Sequence, residues 1–379
     1  MTQLTGTRLF SAFDENGKIR HGLPSVAYTD SDFYELETRQ LFARAWAFIG
    51  FAHDLARVGD VMPVHVAGMP LVLVRGANRK IRAFHNVCRH RNLKLVAEPR
   101  NCKHTITCPY HRWSYDLEGN LKAAPYFGGE KTELPDDFSL EDHGLQEVSC
   151  RLFHDWLFVN LSGDAQGFET YIAPLKKQLA DFDLDDFVAV ASLEFEAIKT
   201  NWKLLMENFI EPYHVQFVHK STTNQPLVDH YVVADAHCLG SAVDLTPEQV
   251  KDGTLSVSSR YLTLFPNFVL GVYYPDQIGV HLNQPMSAGK TRQRREIYLH
   301  KKSDQSAETV EKIRKLWEVV HKEDHAMCER LQEGRYSEMA EQGGFLSPYW
   351  ESSVRSFQEL VADSIRPALN NQKITCNIN

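Results

Sequence analysis

A chain of 379 residues, 43% of them hydrophobic and 24% charged, can build two domains with separate cores and has the composition of an ordinary globular protein. Its formal net charge of -8 argues against a nucleic-acid surface and leaves room for a basic protein partner. No run approaches a membrane span, the first residues lack an export signal, and the 7 cysteines show no disulfide spacing, so a protein of the reducing cytoplasm is expected.

Residues 29–48 read as a helix, with Thr29 and Asp32 as a capping box and Phe33, Leu36, Leu41, Phe42, Ala45 and Trp46 as its apolar face. From 58 to about 161 the pattern changes to short alternating or apolar runs, among them 62–66, 71–74, 106–108 and 156–159, with Glu118-Gly119-Asn120 as a turn. A small all-β domain is therefore expected there. Residues 163–167, Gly-Asp-Ala-Gln-Gly, read as a linker into a region of mixed helix and strand.

The β segment carries Cys88-Arg-His90 and, after seventeen further residues, Cys108-Pro-Tyr-His111. Each pair is close enough to come from one loop, whereas the two pairs are too far apart to share one, so two fingers must converge. Thiolates suit soft iron, and a Rieske [2Fe-2S] centre holds one iron by two cysteines and the other by two histidines. The alternative is a structural Cys2His2 zinc site, which keeps its cysteines in one knuckle and its histidines in the other; the order Cys, His, Cys, His runs against it. Arg91 and Arg112 follow the two histidines where some Rieske proteins have a disulfide, and Cys102 reads as a packing or exposed thiol.

Residues 201–219 are mostly helical, with Trp202, Leu205 and Phe209 on one side. Glu211 and His214 share a face. His219 lies five beyond His214, so the two converge on a metal only across a widened turn or a helix end, which Pro212 favours; taken alone, both can equally be ordinary histidines. A long helix over 307–332 shows Val310, Ile313, Trp317, Val320, Met327 and Leu331 in steps of three and four, and Asp324 falls on that stripe. A carboxylate on a core-facing stripe is unfavourable unless paired or bound to metal, so Asp324 is the expected third ligand of a two-histidine, one-carboxylate iron site. Glu323 lies off the stripe, and His321 and His325 at its edge read as surface features. Strands within 261–285, with Leu270, Tyr273 and His281, can line a substrate cavity together with Phe209, Phe217 and Val218; the plain alternative for each is core. Such aromatics either cage a quaternary ammonium or pack around an aromatic ring.

With Cys88-x-His90 and Cys108-x-x-His111, the run Asn208-x-x-Glu211-x-x-His214-x4-His219, and Asp324 followed five residues later by Glu329, the chain resembles the large (α) subunit of Rieske non-haem iron, or ring-hydroxylating, oxygenases over nearly its whole length. The resemblance implies an α+β protein in which a Rieske-type antiparallel β domain is inserted in a helix-grip catalytic domain, a curved antiparallel sheet around a long helix. It implies that residues 1–43 pack with the catalytic part, 44–162 form the Rieske domain and 163–379 the catalytic iron domain. A [2Fe-2S] cluster on Cys88, His90, Cys108 and His111 follows from it, as does a mononuclear Fe(II) on His214, His219 and Asp324. So does a homotrimer in which one subunit's cluster serves its neighbour's iron. Glu211 matches the acidic bridge between those centres, a glutamate here as in members acting on carnitine and related quaternary amines such as choline or betaine. Asn208 matches an asparagine near the iron that is not a regular ligand.

The activity implied is that of a terminal oxygenase component that hydroxylates or N-/O-dealkylates a small organic substrate with O2. The alternative is arene cis-dihydroxylation, with a pure electron carrier more remote because the chain carries a second metal motif. No Gly-rich dinucleotide fingerprint occurs, so NAD(P)H electrons are expected through a separate reductase, with or without a ferredoxin.

Overall fold

In the computed structural model, which describes residues 9–130, 134–222, 227–244, 246, 258–273 and 275–371, the short apolar runs in the first half of the chain fold as strands. Two units emerge from the contacts: Phe42–Phe168, and Met1–Leu41 together with Glu169–Asn379. The first is thus an insertion in the sequence of the second.

The inserted unit contains β1 (Ala47–Phe51), β2 (Asp60–Val66), β3 (Met69–Arg75), β4 (Ile81–His85), β5 (Arg100–Asn101), β6 (Thr105–Thr107), β7 (Ser114–Asp116), β8 (Leu121–Ala123), β9 (Glu147–Phe153) and β10 (Trp156–Asn160). Seven of these strands form one antiparallel sheet in the order β1-β10-β9-β4-β3-β2-β5, and β6-β7-β8 form a smaller one. Val61, Val72, Val74, Phe84, Ile106, Trp113 and Tyr115 make the core beneath the fingers, and Cys88 and Cys108 belong to it.

The second unit curls a seven-stranded antiparallel sheet, built from β11 (Phe187–Ile198), β12 (Tyr231–Asp235), β13 (Cys238–Asp244), β14 (Ser258–Leu264), β15 (Phe268–Tyr273), β16 (Gln277–Ser287) and β17 (Lys290–His300), in the order β11-β17-β16-β15-β14-β13-β12. Its main helices are α1 (Ser31–Glu37), α2 (Phe168–Gln178), α3 (Trp202–Ile210), α4 (Val215–Val218), α5 (Ala307–Gly334) and α6 (Ser352–Asn371). At 1.5 Å per residue the 28-residue α5 is roughly 42 Å long, and it packs against β11 and α3. This is the expected α+β arrangement of a Rieske-type β domain within a helix-grip frame.

The expected helix over 29–48 stops early. Asp30, not Thr29, caps α1 by accepting from Phe33 N–H at 2.8 Å, and a π-helical turn Thr38–Phe42 ends the helical stretch. Ala47–Phe51 is buried at every position, so it forms an edge strand covered on both faces where a one-faced helix would leave half the run in water. The segment ahead of the insertion is fastened to the catalytic unit by a buried polar network. Lys203 Nζ lies 2.6 Å from Glu37 Oε1 with both side chains wholly buried, Trp202 Nε1–H donates to Glu37 Oε2 at 3.2 Å, and Tyr28 O–H donates to Glu207 at 2.7 Å.

Candidate functional site

The two cysteine-histidine fingers have one backbone design. Cys88 N–H donates to Leu93 O at 2.8 Å and Asn92 N–H to Cys88 O at 3.0 Å; Cys108 N–H donates to Trp113 O at 2.8 Å and Arg112 N–H to Cys108 O at 3.1 Å. The fourth residue after each cysteine is left-handed, Asn92 at φ 57° and Arg112 at φ 63°, a conformation asparagine tolerates and arginine adopts at roughly 1–2 kcal/mol.

Cys88 and Cys108 are each 1% exposed, while His90 and His111 are half-buried. Burial pushes the Cys108 thiol up, the Tyr110 and His111 N–H groups pull it down, and Cys88 beside it raises it again. His90 Nδ1 lies 3.1 Å from His111 Nδ1, and His90 stacks on Trp113 at 5.0 Å. A thiol pair in the core and an imidazole pair toward the surface suit a two-iron cluster with sulfur ligands on one iron and nitrogen ligands on the other. Tyr115 O lies 3.5 Å from Cys88 Sγ and accepts from Arg89 N–H at 2.9 Å. Cys102 stands apart, its Sγ accepting from Arg100 Nε–H at 3.5 Å, and no disulfide occurs among the described residues.

In the catalytic unit, Pro212 decides the local geometry. It holds Glu211 extended at φ -107° and ψ 137°, so α3 ends at Ile210, and the chain turns through His214 into the single-turn α4, with His219 at its C-cap. This break brings His214, His219 and Asp324 of α5 together: their candidate ligand atoms all lie within 4.8 Å of one another. His214 Nε2 is 3.5 Å and His219 Nε2 3.0 Å from Asp324 Oδ1, yet that buried oxygen has no partner in hydrogen-bond geometry.

The outer nitrogens explain the arrangement. His214 Nδ1 lies 2.6 Å from Glu211 Oε1, and His219 Nδ1 lies 2.8 Å from Glu323 Oε2. With each Nδ1–H donated to a carboxylate, each Nε2 faces Asp324 and, once deprotonated, offers a lone pair to a metal there. That is the carboxylate–histidine–metal pattern, and the donor set fits a divalent iron with open positions. Burial opposes the charged form of His214, but Glu211 and Asp324 outweigh it and push its pKa up to about 10. Burial likewise opposes the charged form of Asp324, and the two histidines outweigh it and lower its pKa. Glu211 Oε2 also accepts from Tyr213 and His214 N–H, which fixes the carboxylate at the break. Asn208, half-buried one turn earlier on α3, makes no hydrogen bond to the triad among the described residues.

Several expected positions need correction. Glu323 is not a free surface charge: besides holding His219 it accepts from Thr222 O–H at 3.0 Å. On α5 the fully buried residues are His321, Cys328 and Gln332, whereas Leu331 is 49% exposed; Trp317 and Asp324 of the expected stripe do face the site, but the inward face is centred beside that stripe and is largely polar, so counting apolar residues located it only in part. His321 and His325 therefore point inward, with His325 Nε2 2.8 Å from Gln293 Oε1. The sequence signal was the His321-Asp324-Cys328-Gln332 spacing itself.

Of the cavity candidates, Phe209, Tyr273 and His281 share one wall. Phe209 lies 5.0 Å from His281, and Tyr261, absent from the expected set, lies 6.3 Å from Phe209 and 5.6 Å from Tyr273. His281 packs on His321 at 4.8 Å, and Tyr273 on Trp317 at 4.3 Å. Leu270 is buried but pairs with Leu262 and Val280, so strand alternation puts it on the sheet face opposite Tyr261, Tyr273 and His281. Phe217 is 58% exposed on α4, and its neighbour Val218 is half-buried.

Comparison with known proteins follows the same division. The Rieske [2Fe-2S] domain family matches residues 45–134, and the catalytic domain of the ring-hydroxylating alpha subunit matches residues 179–366. The glycine betaine monooxygenase oxygenase subunit of Chromohalobacter salexigens is 33% identical over 229 residues, 60% of this chain and only 50% of that protein. Its Pseudomonas aeruginosa namesake is 25% identical over 395 aligned residues, 92% of this chain and 89% of that one. Among solved structures, the quaternary ammonium Rieske monooxygenase CntA superimposes with a TM-score of 0.81 at 23% identity, covering 96% of this chain and 99% of that chain. Rieske fingers in one unit and the ring-hydroxylating catalytic domain in the other leave one assignment: the chain belongs to the Rieske-type ring-hydroxylating oxygenases and is built as their large, or α, subunit.

Proposed function

We propose that this chain is a terminal oxygenase component that hydroxylates or N-/O-dealkylates a small organic substrate. In this reading O2 is the oxidant, and electrons come from a separate NAD(P)H-dependent reductase, with or without a ferredoxin. The observation that carries the reading is the pair of histidines whose Nδ1 atoms rest on Glu211 and Glu323 while their Nε2 atoms converge on Asp324. Cys88, Cys108, His90 and His111 would hold the [2Fe-2S] cluster, and His214, His219 and Asp324 would hold an Fe(II) that supplies oxygen activation when bound.

The residues of the chain supply the rest. Glu211 and Glu323 keep the Nδ1 protons in place, so both imidazoles present the metal-binding tautomer. Phe209, Tyr261, Tyr273 and Trp317 wall the neighbourhood with aromatic surface that excludes water. Glu211, 12% exposed at its side chain, is the bridging carboxylate of the proposal, receiving the electron path from a neighbouring subunit's cluster in a homotrimer. Support for that assembly is the inter-subunit electron transfer described for CntA, whose fold this chain shares. Among the described residues no helix is long and apolar enough to cross a membrane.

The test is oxygen uptake coupled to product formation, with a surrogate reductase and a panel of quaternary amines, N-alkyl anilides and aromatic acids. His214→Ala should abolish product while leaving the cluster absorption spectrum intact. Glu211→Gln should keep both metal centres and lose turnover. Product formation at an unchanged rate by His214→Ala would refute the proposal.

A further inference from the structure

Arg295 of β17 is 1% exposed, among the largest fully buried side chains, and makes no ion pair among the described residues. Its Nη1 lies 3.4 Å from Tyr273 O, 2.9 Å from His281 Nε2 and 3.5 Å from His321 Nε2. Nε and Nη2 are buried and have no hydrogen-bond partner. The guanidinium carbon stands 3.6 Å from the centre of the Trp317 ring, and a Cβ on Gly279 would fall 2.4 Å from Nη2. Trp317 and a side-chain-free position on the neighbouring strand thus hold the group in one place. Burial keeps His281 and His321 neutral, so they offer lone pairs but no countercharge.

A buried cation with no carboxylate in contact is strongly unfavourable, and cation–π contact and the more distant pull of Asp324 offset only part of that. The unpartnered Nε–Nη2 edge is also the fork that recognises a carboxylate or sulfonate through two parallel hydrogen bonds. Its position is informative. His321 lies three residues before Asp324 on α5, and His281 packs on Phe209, two residues before Glu211. Register puts Arg295, His281, Gly279, Gly271 and Tyr261 on the same sheet face.

We propose that Arg295 anchors the anionic head of the substrate, a carboxylate or sulfonate, so that the substrates of this site are small organic anions held by that head beside His214, His219 and Asp324. This rests on the triad being the reaction centre, but it is tested by binding and not by turnover.

Isothermal titration of the metal-loaded protein compares glycine betaine with choline, benzoate with benzamide, and benzenesulfonate with benzenesulfonamide. The anion of at least one pair should bind roughly tenfold to a hundredfold more tightly than its neutral-headed counterpart. Arg295→Gln should erase that preference and leave the counterpart's affinity unchanged. Gly279→Ala, which keeps the arginine but drives a methyl into Nη2, should weaken anion binding while iron content and the cluster spectrum stay as in the parent. Whether carboxylate or sulfonate pairs show the effect identifies the head group. The inference is overturned if no anion binds at millimolar concentration, if neutral counterparts bind equally well, or if the preference survives Arg295→Gln. Anion preference in a parent protein that forms no product with O2 and reductase would instead count against the oxygenase reading and leave the anchor standing.

Discussion

His214 and His219 resemble each other at the metal-facing nitrogen and differ in what stands behind it. Glu211 supports the first from within the α3–α4 break, and Glu323 supports the second from α5. Removing Glu323 should therefore loosen one ligand only: Glu323→Ala is expected to lower iron affinity about 10- to 100-fold with the cluster unaffected, measured by iron retention against a chelator. Retention equal to the parent would contradict that role. The triad also has a proton consequence. Without iron, the His214 pKa of about 10 stands above its unfolded value, so its contribution to stability is fully present below about pH 6.5 and is lost as pH rises through about 10. Iron competes with that proton. Iron affinity should rise from pH 6 toward pH 9 with proton release on loading, and titration calorimetry in buffers of different ionisation enthalpy checks it. In the inserted unit, Tyr115→Phe should lower the cluster's reduction potential, because the hydroxyl beside Cys88 Sγ stabilises the reduced, more negative form. That His214, His219 and Asp324 come together, and that Cys88, His90, Cys108 and His111 lie on two matching fingers, was legible from ligand chemistry and spacing; their role as ligands belongs to the proposal. Glu323 and Arg295 were not: a charge reads as solvated until its neighbours are known.

At the scale of elements, the site depends on a helix that ends on time. Pro212 removes a backbone donor and holds Glu211 extended; an uninterrupted α3 would turn His219 away from His214. Pro212→Ala should reduce iron at the triad while preserving cluster sulfide, seen as a fall in the iron-to-sulfide ratio. This break was readable from Pro212 and the five-residue step. The inward face of α5 was read less well, because an apolar stripe is a guide only where a helix packs on an apolar core, and here it faces Gln293, Arg295 and the triad. For the same reason Leu270 was legible as buried but not as belonging to the far side of the sheet. Residues 29–48 failed differently: the run from Ala47 to Phe51, without a polar position, fits a strand buried on both faces better than a helix, and the mean periodicity of the longer window hid the change.

For the whole molecule, a redox insertion interrupts a catalytic frame whose two sequence parts are held together by buried charge. Lys203 and Glu37 are both wholly buried, so removing one leaves the other without compensation. Lys203→Met should destabilise the protein by about 3–5 kcal/mol, whereas Lys203→Met with Glu37→Gln should recover most of that in denaturant unfolding. Motif order and segment lengths made the two-part organisation legible, but a polar latch between distant segments leaves no local pattern. The account as a whole turns on the number of metal centres in one chain. Iron and acid-labile sulfide analysis of protein purified under reducing, anaerobic conditions should give about three irons and about two sulfides per chain, falling to about two of each in His214→Ala; two irons per chain in the parent, or no iron lost in the variant, would contradict it.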